Sequence, residues 1–424
     1  MSGNRRRGLR LVAFAALGLA TGSGAGPKGS ANVATGTETQ ADKNLAAVVA
    51  GNSQLALDLY SRLRKDEGNL FFSPYSLSTA LAMTYAGARG GTAEEMVKTL
   101  HFAPAGDALH PAFRGLIDRV NGVGANPPRA ATLVTANALW GQKGDDFLPG
   151  FLALTRENYG AGLREVDFKS DREAARKAIN DWVERQTRDK IVDLIQSSDL
   201  SKDTSLILTN AIYFKGTWST PVPAAATRKD GVCVAPGGRK VTTPMMRQSS
   251  RLAYYDGGAF QLLEMPYTGD DLSMTVLLPK DAEGLPALES KLAPAALADW
   301  VAKASRVLVD VEFPKFKLTE SFRLADVLGK MGMPSAFDAD RADFSGIDGR
   351  RDMVISEVVH KAFVEVDEKG TEAAAATGVI MTRAMAVAPQ RPVVFKADHP
   401  FVFMIRERST GSLLFLGRVV EPKG

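Results

Sequence analysis

The chain has 424 residues, 45% apolar and 24% charged, with four tryptophans. That balance excludes a disordered or fibrous chain and describes a soluble globular protein with ample core. The net charge of +4 rests on Arg5, Arg6, Arg7 and Arg10; without them the chain is close to neutral, so neither nucleic acid nor an anionic membrane is indicated as a partner. Cys233 is the single cysteine, which rules out an intrachain disulfide. With it, His101, His110, His360 and His399 form no zinc spacing, so no metal or other cofactor is expected.

Three arginines, an apolar run over residues 11–20 and small residues at 22–26 read as an export signal over residues 1–25. Ten apolar residues are too few to span a bilayer. The arginine cluster also fits a twin-arginine signal. The expected location is secreted or periplasmic. Residues 26–43, rich in Gly, Thr, Ala and Ser, read as a flexible leader, leaving residues 44–424 to fold. By length alone that is two or three domains.

Apolar residues Val48, Ala56, Leu59 and Leu63 recur at helical spacing through residues 45–65. A short strand follows at residues 69–72, then Ser73 as a cap and Pro74 at the first helical position. Thr92 with Glu95 three residues on predicts a capping box for the next helix. Residues 132–140 have a buried-strand pattern, and residues 151–159 and 174–187 read as helices. Residues 363–367 alternate β-formers with acids and end in turn chemistry at Asp367–Gly370.

Beyond that turn, residues 371–388 hold neither proline nor an aromatic ring. Read with period two, Thr371, Ala373, Ala375 and Thr377 form one small, charge-free face, and Glu372, Ala374 and Ala376 lie on the other. On propensity alone the alanine run is also a good helix segment, so two readings stand at this level. No Gly-x-Ser-x-Gly elbow, His-Glu-x-x-His or phosphate loop occurs, which argues against an enzyme.

The segment Glu368-Lys-Gly-Thr-Glu-Ala-Ala-Ala-Ala-Thr377 resembles the reactive-loop hinge of inhibitory serpins. The blocks 69–95, 206–218, 395–403 and 415–422 resemble further signatures of that family. The resemblance runs from about residue 45 to the C-terminus. It implies a single α+β domain with a large central mixed sheet, two smaller sheets, eight or nine helices and an exposed reactive-centre loop. Residues 244–248, 263–267 and 274–279 then match strands of the smaller sheets, while residues 309–316 and 324–333 match the strand and helix that follow. One departure stands out, since Val222 occupies a position where the family usually has phenylalanine, which leaves strand register over residues 220–235 open.

The resemblance also implies a function: a monomeric serine endopeptidase inhibitor acting by a suicide mechanism. Its hinge would be Glu368, Gly370, Thr371, Glu372, Ala373, Ala374, Ala375 and Ala376. Counted from Glu368 at the family's spacing, the scissile bond joins Ala384 to Met385, with Arg383 the alternative if the loop is one residue shorter. Alanine suits an elastase-like or subtilisin-like protease, arginine a trypsin-like one, and a cysteine protease is a further target. Ser73, Ser76, Asn210 and His360 would form a buried polar cluster, the shutter, that holds the main sheet closed. Trp218 would lie under the first point of loop entry, the breach. The alternative is a non-inhibitory carrier or chaperone on the same fold.

Overall fold

In chain order the elements begin with α1 (Gln40–Leu63), β1 (Leu70–Phe72), α2 (Pro74–Tyr85), α3 (Gly90–Thr99) and α4 (Leu109–Val120). They continue through β2 (Thr132–Gln142), α5 (Pro149–Tyr159), β3 (Leu163–Val166), α6 (Arg172–Gln186), β4 (Leu206–Thr217), β5 (Arg228–Ala235) and β6 (Arg239–Asp256). Next come β7 (Phe260–Pro266), β8 (Leu272–Pro279), α7 (Leu285–Glu289), α8 (Pro294–Lys303), β9 (Ser305–Pro314) and β10 (Phe316–Arg323). The chain closes with α9 (Ala325–Met331), α10 (Ser345–Asp348), β11 (Ile355–Asp367), β12 (Gly370–Thr371), β13 (Val393–Lys396), β14 (Phe401–Glu407) and β15 (Leu413–Val419). This computed structural model describes residues 39–124, 131–371 and 391–423. The expected signal peptide, most of the leader, Glu372 to Ala376 of the hinge and the bond at Arg383, Ala384 and Met385 lie outside the described residues.

Two sheets organise these elements. A six-stranded sheet has the order β10-β11-β12-β4-β2-β3. A nine-stranded sheet runs β1-β15-β14-β8-β7-β6-β9-β13, with β5 paired to β6. The two smaller sheets expected above are joined into one here. The cause is β6, whose 18 residues pair with β5 at one end and β9 and β7 at the other.

Helix α1 begins at Gln40, inside the stretch expected as leader. Thr39 and Asp42 form a reciprocal capping box, Asp42 N donating to Thr39 Oγ1 at 3.2 Å and Thr39 N to Asp42 Oδ2 at 3.1 Å. That satisfies two free amides and starts α1 at Gln40. By contrast, Thr92 and Glu95 make no capping box. The α3 helix starts at Gly90, so Thr92 is inside it and accepts from Asp343 N at 3.0 Å. Glu95 is drawn to Ser335 N, Ser335 Oγ and Arg341 instead.

The α2 helix starts where Ser73 and Pro74 place it, with Ser73 Oγ accepting from Ser76 N at 3.1 Å. It is buried from Pro74 to Thr84. Its threonine hydroxyls return to the backbone, Thr79 to Tyr75 O and Thr84 to Ala80 O, so burial leaves no hydroxyl of theirs unpaired.

Strand β4 is covered on both faces. Leu206, Leu208, Ile212 and Phe214 join the main core on the α2 side. Ile207, Ala211 and Tyr213 join a second core with Ile179 and Val183 of α6. At the far end, Cys233 of β5 is buried beside Met245 and Ala397 O, and that burial pushes its thiol up to about 12.

Candidate functional site: the β11–β4 seam and its two ends

Strands β11 and β4 run parallel, paired from Ile355 with Leu206 to Phe363 with Tyr213. Beyond Phe363 they diverge, and β12 enters between them. Thr371 pairs with Val366 on one side and with Gly216 on the other, antiparallel to both neighbours. A strand continuing from Thr371 would therefore find two edges of suitable polarity. Among the described residues, Gly370 and Thr371 of the hinge stand in that position.

The turn into β12 is closed by Asp367 Oδ1, which accepts from Lys369 N at 2.8 Å and Gly370 N at 3.1 Å. Gly370 has φ of 149°, and a Cβ there would lie 2.0 Å from Gly216 O. Only glycine fits on both counts. Trp218 supports the turn from beneath: its backbone N donates to Lys369 O at 2.9 Å and its indole N–H to Asp367 O at 3.0 Å. Its ring stacks on Tyr267 at 4.6 Å, and the Tyr267 hydroxyl lies 2.8 Å from Thr371 Oγ1.

Glu368 is held by Lys315, between β9 and β10, and by Thr227, just before β5. Lys315 donates to it at 2.9 Å and Thr227 Oγ1 at 2.8 Å. Burial works to raise its carboxyl, but these hydrogen bonds outweigh it and hold the group below the usual carboxylate range. Val222, the departure noted in the sequence, is buried and donates its N–H to Glu368 O at 2.8 Å. The register left open there resolves as a single helical turn, Ala224–Ala226, then β5 with a shift between Arg228 and Gly231.

At mid-sheet, register brings three polar residues into one line: Asn137 of β2 faces Asn210 of β4, and Asn210 faces His360 of β11. The N-terminus of α2 closes over them. Asn210 Nδ2 donates to Ser76 Oγ at 2.7 Å and to Asn137 Oδ1 at 2.6 Å, and Ser76 Oγ donates to Asn137 Oδ1 at 3.0 Å. Ser73 N donates to His360 Nε2 at 3.1 Å, while Ser73 Oγ donates to Leu414 O at 2.6 Å. Because Nε2 accepts, the ring proton sits on Nδ1 and is given to Asn210 Oδ1. Full burial drives the His360 pKa down to about 3, so the ring is neutral.

Thus Ser73, Ser76, Asn210 and His360 lie together, and Trp218 stands apart from them with Glu368, Gly370 and Thr371. Sequence reasoning missed Asn137, Tyr267, Lys315 and Gly216. Asn137 left a signal, an amide inside a run of β-formers; the other three left none that local chemistry could read. Among the described residues no cluster of potential metal ligands occurs.

The family model described as Serpin (serine protease inhibitor) matches residues 50–422. The chain is 42% identical over 383 residues to human leukocyte elastase inhibitor, covering 88% of this chain and 99% of that protein. It is 41% identical over 376 residues to an uncharacterised serpin-like protein of Thermococcus kodakarensis, covering 89% of this chain and 86% of the relative. Among solved structures, Serpin48 of the insect Tenebrio molitor superposes with a TM-score of 0.78 at 33% identity, covering 91% of this chain and all of that one. The chain belongs to the serpin family of serine protease inhibitors.

Proposed function

We propose that this protein is a suicide inhibitor of serine endopeptidases and not an enzyme. A target protease attacks one peptide bond of the reactive loop, and its nucleophile becomes an acyl ester on the carbonyl carbon as the bond to the next residue breaks. The freed hinge then enters the six-stranded sheet as a new strand, a form of β-strand addition. The acyl-bound protease is carried with it before water can cleave the ester. About 15 inserted residues at ~0.5–1.5 kcal/mol per net hydrogen bond yield on the order of ten kcal/mol. That rivals the ~5–15 kcal/mol stability of a whole domain.

The observation that carries this reading is the position of Thr371, bonded between two strands that are parallel to each other. Ala373 to Ala376 continue it with side chains small enough to slide between packed faces. Ser73, Ser76, Asn210 and His360 act as the shutter holding the seam closed, with Asn137 as a further member, and Trp218 acts as the breach gate. The scissile bond joins Ala384 to Met385, which selects an elastase-like or subtilisin-like protease; scission after Arg383 would select a trypsin-like one. Residues 1–25 serve as an export signal, and the protein acts as a secreted or periplasmic monomer without cofactor.

The test is incubation with elastase, subtilisin, trypsin and papain, followed by denaturing electrophoresis and sequencing of the released C-terminal peptide. We expect an SDS-resistant complex with elastase or subtilisin and a peptide beginning at Met385. A peptide beginning at Ala384 moves the bond to Arg383. Cleavage by every protease without any complex refutes inhibition and favours a non-inhibitory carrier. Sequencing the N-terminus of the mature protein checks the signal.

A further inference from the structure

Strand β13 is four residues long and lies at the edge of the nine-stranded sheet, where its one strand partner among the described residues is β9. So short a ladder leaves much of its anchorage to the connection into β14. There Ala397 N donates to Glu312 O at 2.9 Å, and Val234 N donates to Asp398 O at 2.7 Å. The third tie is a side chain. His399 reaches from that connection to the end of β8, with Nε2 2.7 Å from Pro279 O and Nδ1 2.9 Å from Asp398 Oδ1. The other carboxylate oxygen of Asp398 takes Lys396 Nζ at 2.7 Å.

Both neighbours of the ring accept and neither donates. A neutral imidazole has one N–H and satisfies one of them; the imidazolium satisfies both. The surrounding charges agree. Asp398 and Asp281 are the acids facing the ring, and burial works to raise the Asp398 carboxyl, but the bonds from His399 and Lys396 outweigh it and keep it ionised. Lys280 is drawn away to Asp256, while Arg228 and Glu312 act on Lys396, and Cys233 of β5 is un-ionised. Burial works to lower the His399 pKa, but the bonds to Asp398 and Pro279 O and the two acids' charges raise it above the usual histidine value. We propose that His399 is a proton-operated clasp on β13: doubly protonated, it ties the β13–β14 connection to β8, and on losing a proton it releases either Pro279 O or Asp398 and frees the edge strand. The clasp does not depend on the inhibitor reading, and its failure leaves that reading standing.

The test is nitrogen NMR of the full chain with isotope-labelled histidine, read from about pH 6 to about pH 9. One ring is expected to titrate with a midpoint above ~6.5, both nitrogens protonated below it, and to be absent from His399→Gln. Asp398→Asn should lower that midpoint by about one unit, as loss of an adjacent opposite charge requires. Hydrogen exchange on the wild-type protein reads the consequence. Corrected for the intrinsic rise of exchange with pH, the Ala397 amide should open about tenfold more often once the proton is lost, as loss of a hydrogen bond to a charged group requires. The amides of β14 should keep their protection over the same range. A midpoint at or below ~6.5 for the His399 ring overturns the proposal, as does Ala397 protection that stays constant through the titration.

Discussion

In the nine-stranded sheet, β8, β14 and β15 are buried along their whole length, and Phe71 stacks between Phe403 and Phe415 at 5.6 and 5.1 Å. Across the β11–β4 seam, Ala362 meets Ile212 and Lys361 meets Ala211, and the next pair along is His360 with Asn210. One region is held by ring contacts between buried strands. The other is held by a short ladder and a set of hydrogen bonds, each replaceable by a new strand's own. On the proposed function, the contrast separates a fixed body from an element that opens: aromatic packing in the one, small and polar residues in the other.

Breaking the fixed half should give the largest effect. Phe415→Ala is expected to destabilise by about 3–5 kcal/mol, as loss of a buried ring requires. Denaturant melts would read it, and the fraction of protease captured per cleavage should not change. Asn210→Ala acts on the other half. It strips the His360 ring proton and Ser76 of their partner, costs about 1–3 kcal/mol, and should speed conversion to the inserted form on warming. A capture ratio equal to wild type after heating would contradict that role.

Acid sharpens the comparison further. The folded His360 pKa of about 3 lies below its unfolded value of about 6.5, so the unfolded chain binds the extra proton between them. Stability contributed by neutral His360 is complete above about pH 6.5 and falls by ~1.4 kcal/mol per unit below it. His360→Phe should flatten that slope in melts from pH 7 to 5. The smallest effect belongs to Lys315→Ala, about 0.2–1 kcal/mol for an ion pair still partly in water. Glu368 has a depressed carboxyl, so the pair stabilises above the unfolded carboxylate range and the penalty should vanish as pH falls through the folded value.

Local chemistry carried much of this into the sequence. Ser73 followed by Pro74 starts α2 because the cap and the fixed proline φ act within four residues. The same logic misled at Thr92 and Glu95. Their spacing is right, but Asp343 N and Ser335 N, more than two hundred residues away, take their oxygens. Asn137 stayed unassigned since its partners come from β4 and α2, and only register aligns it with Asn210. Tyr267, likewise, touches Thr371 across 104 positions of chain. Polar residues that work at a distance are legible as oddities in a strand, and their partners are not.

Cys233 has one more consequence. Its thiol is packed under the β13–β14 connection with its ionisation pushed up to about 12, so at neutral pH it carries almost no thiolate. An oxidising or a reducing medium therefore meets the same molecule, with no crosslink to gain or lose. Whatever compartment the protein works in, the packing around β5 and the β13–β14 connection keeps no record of the redox climate around it.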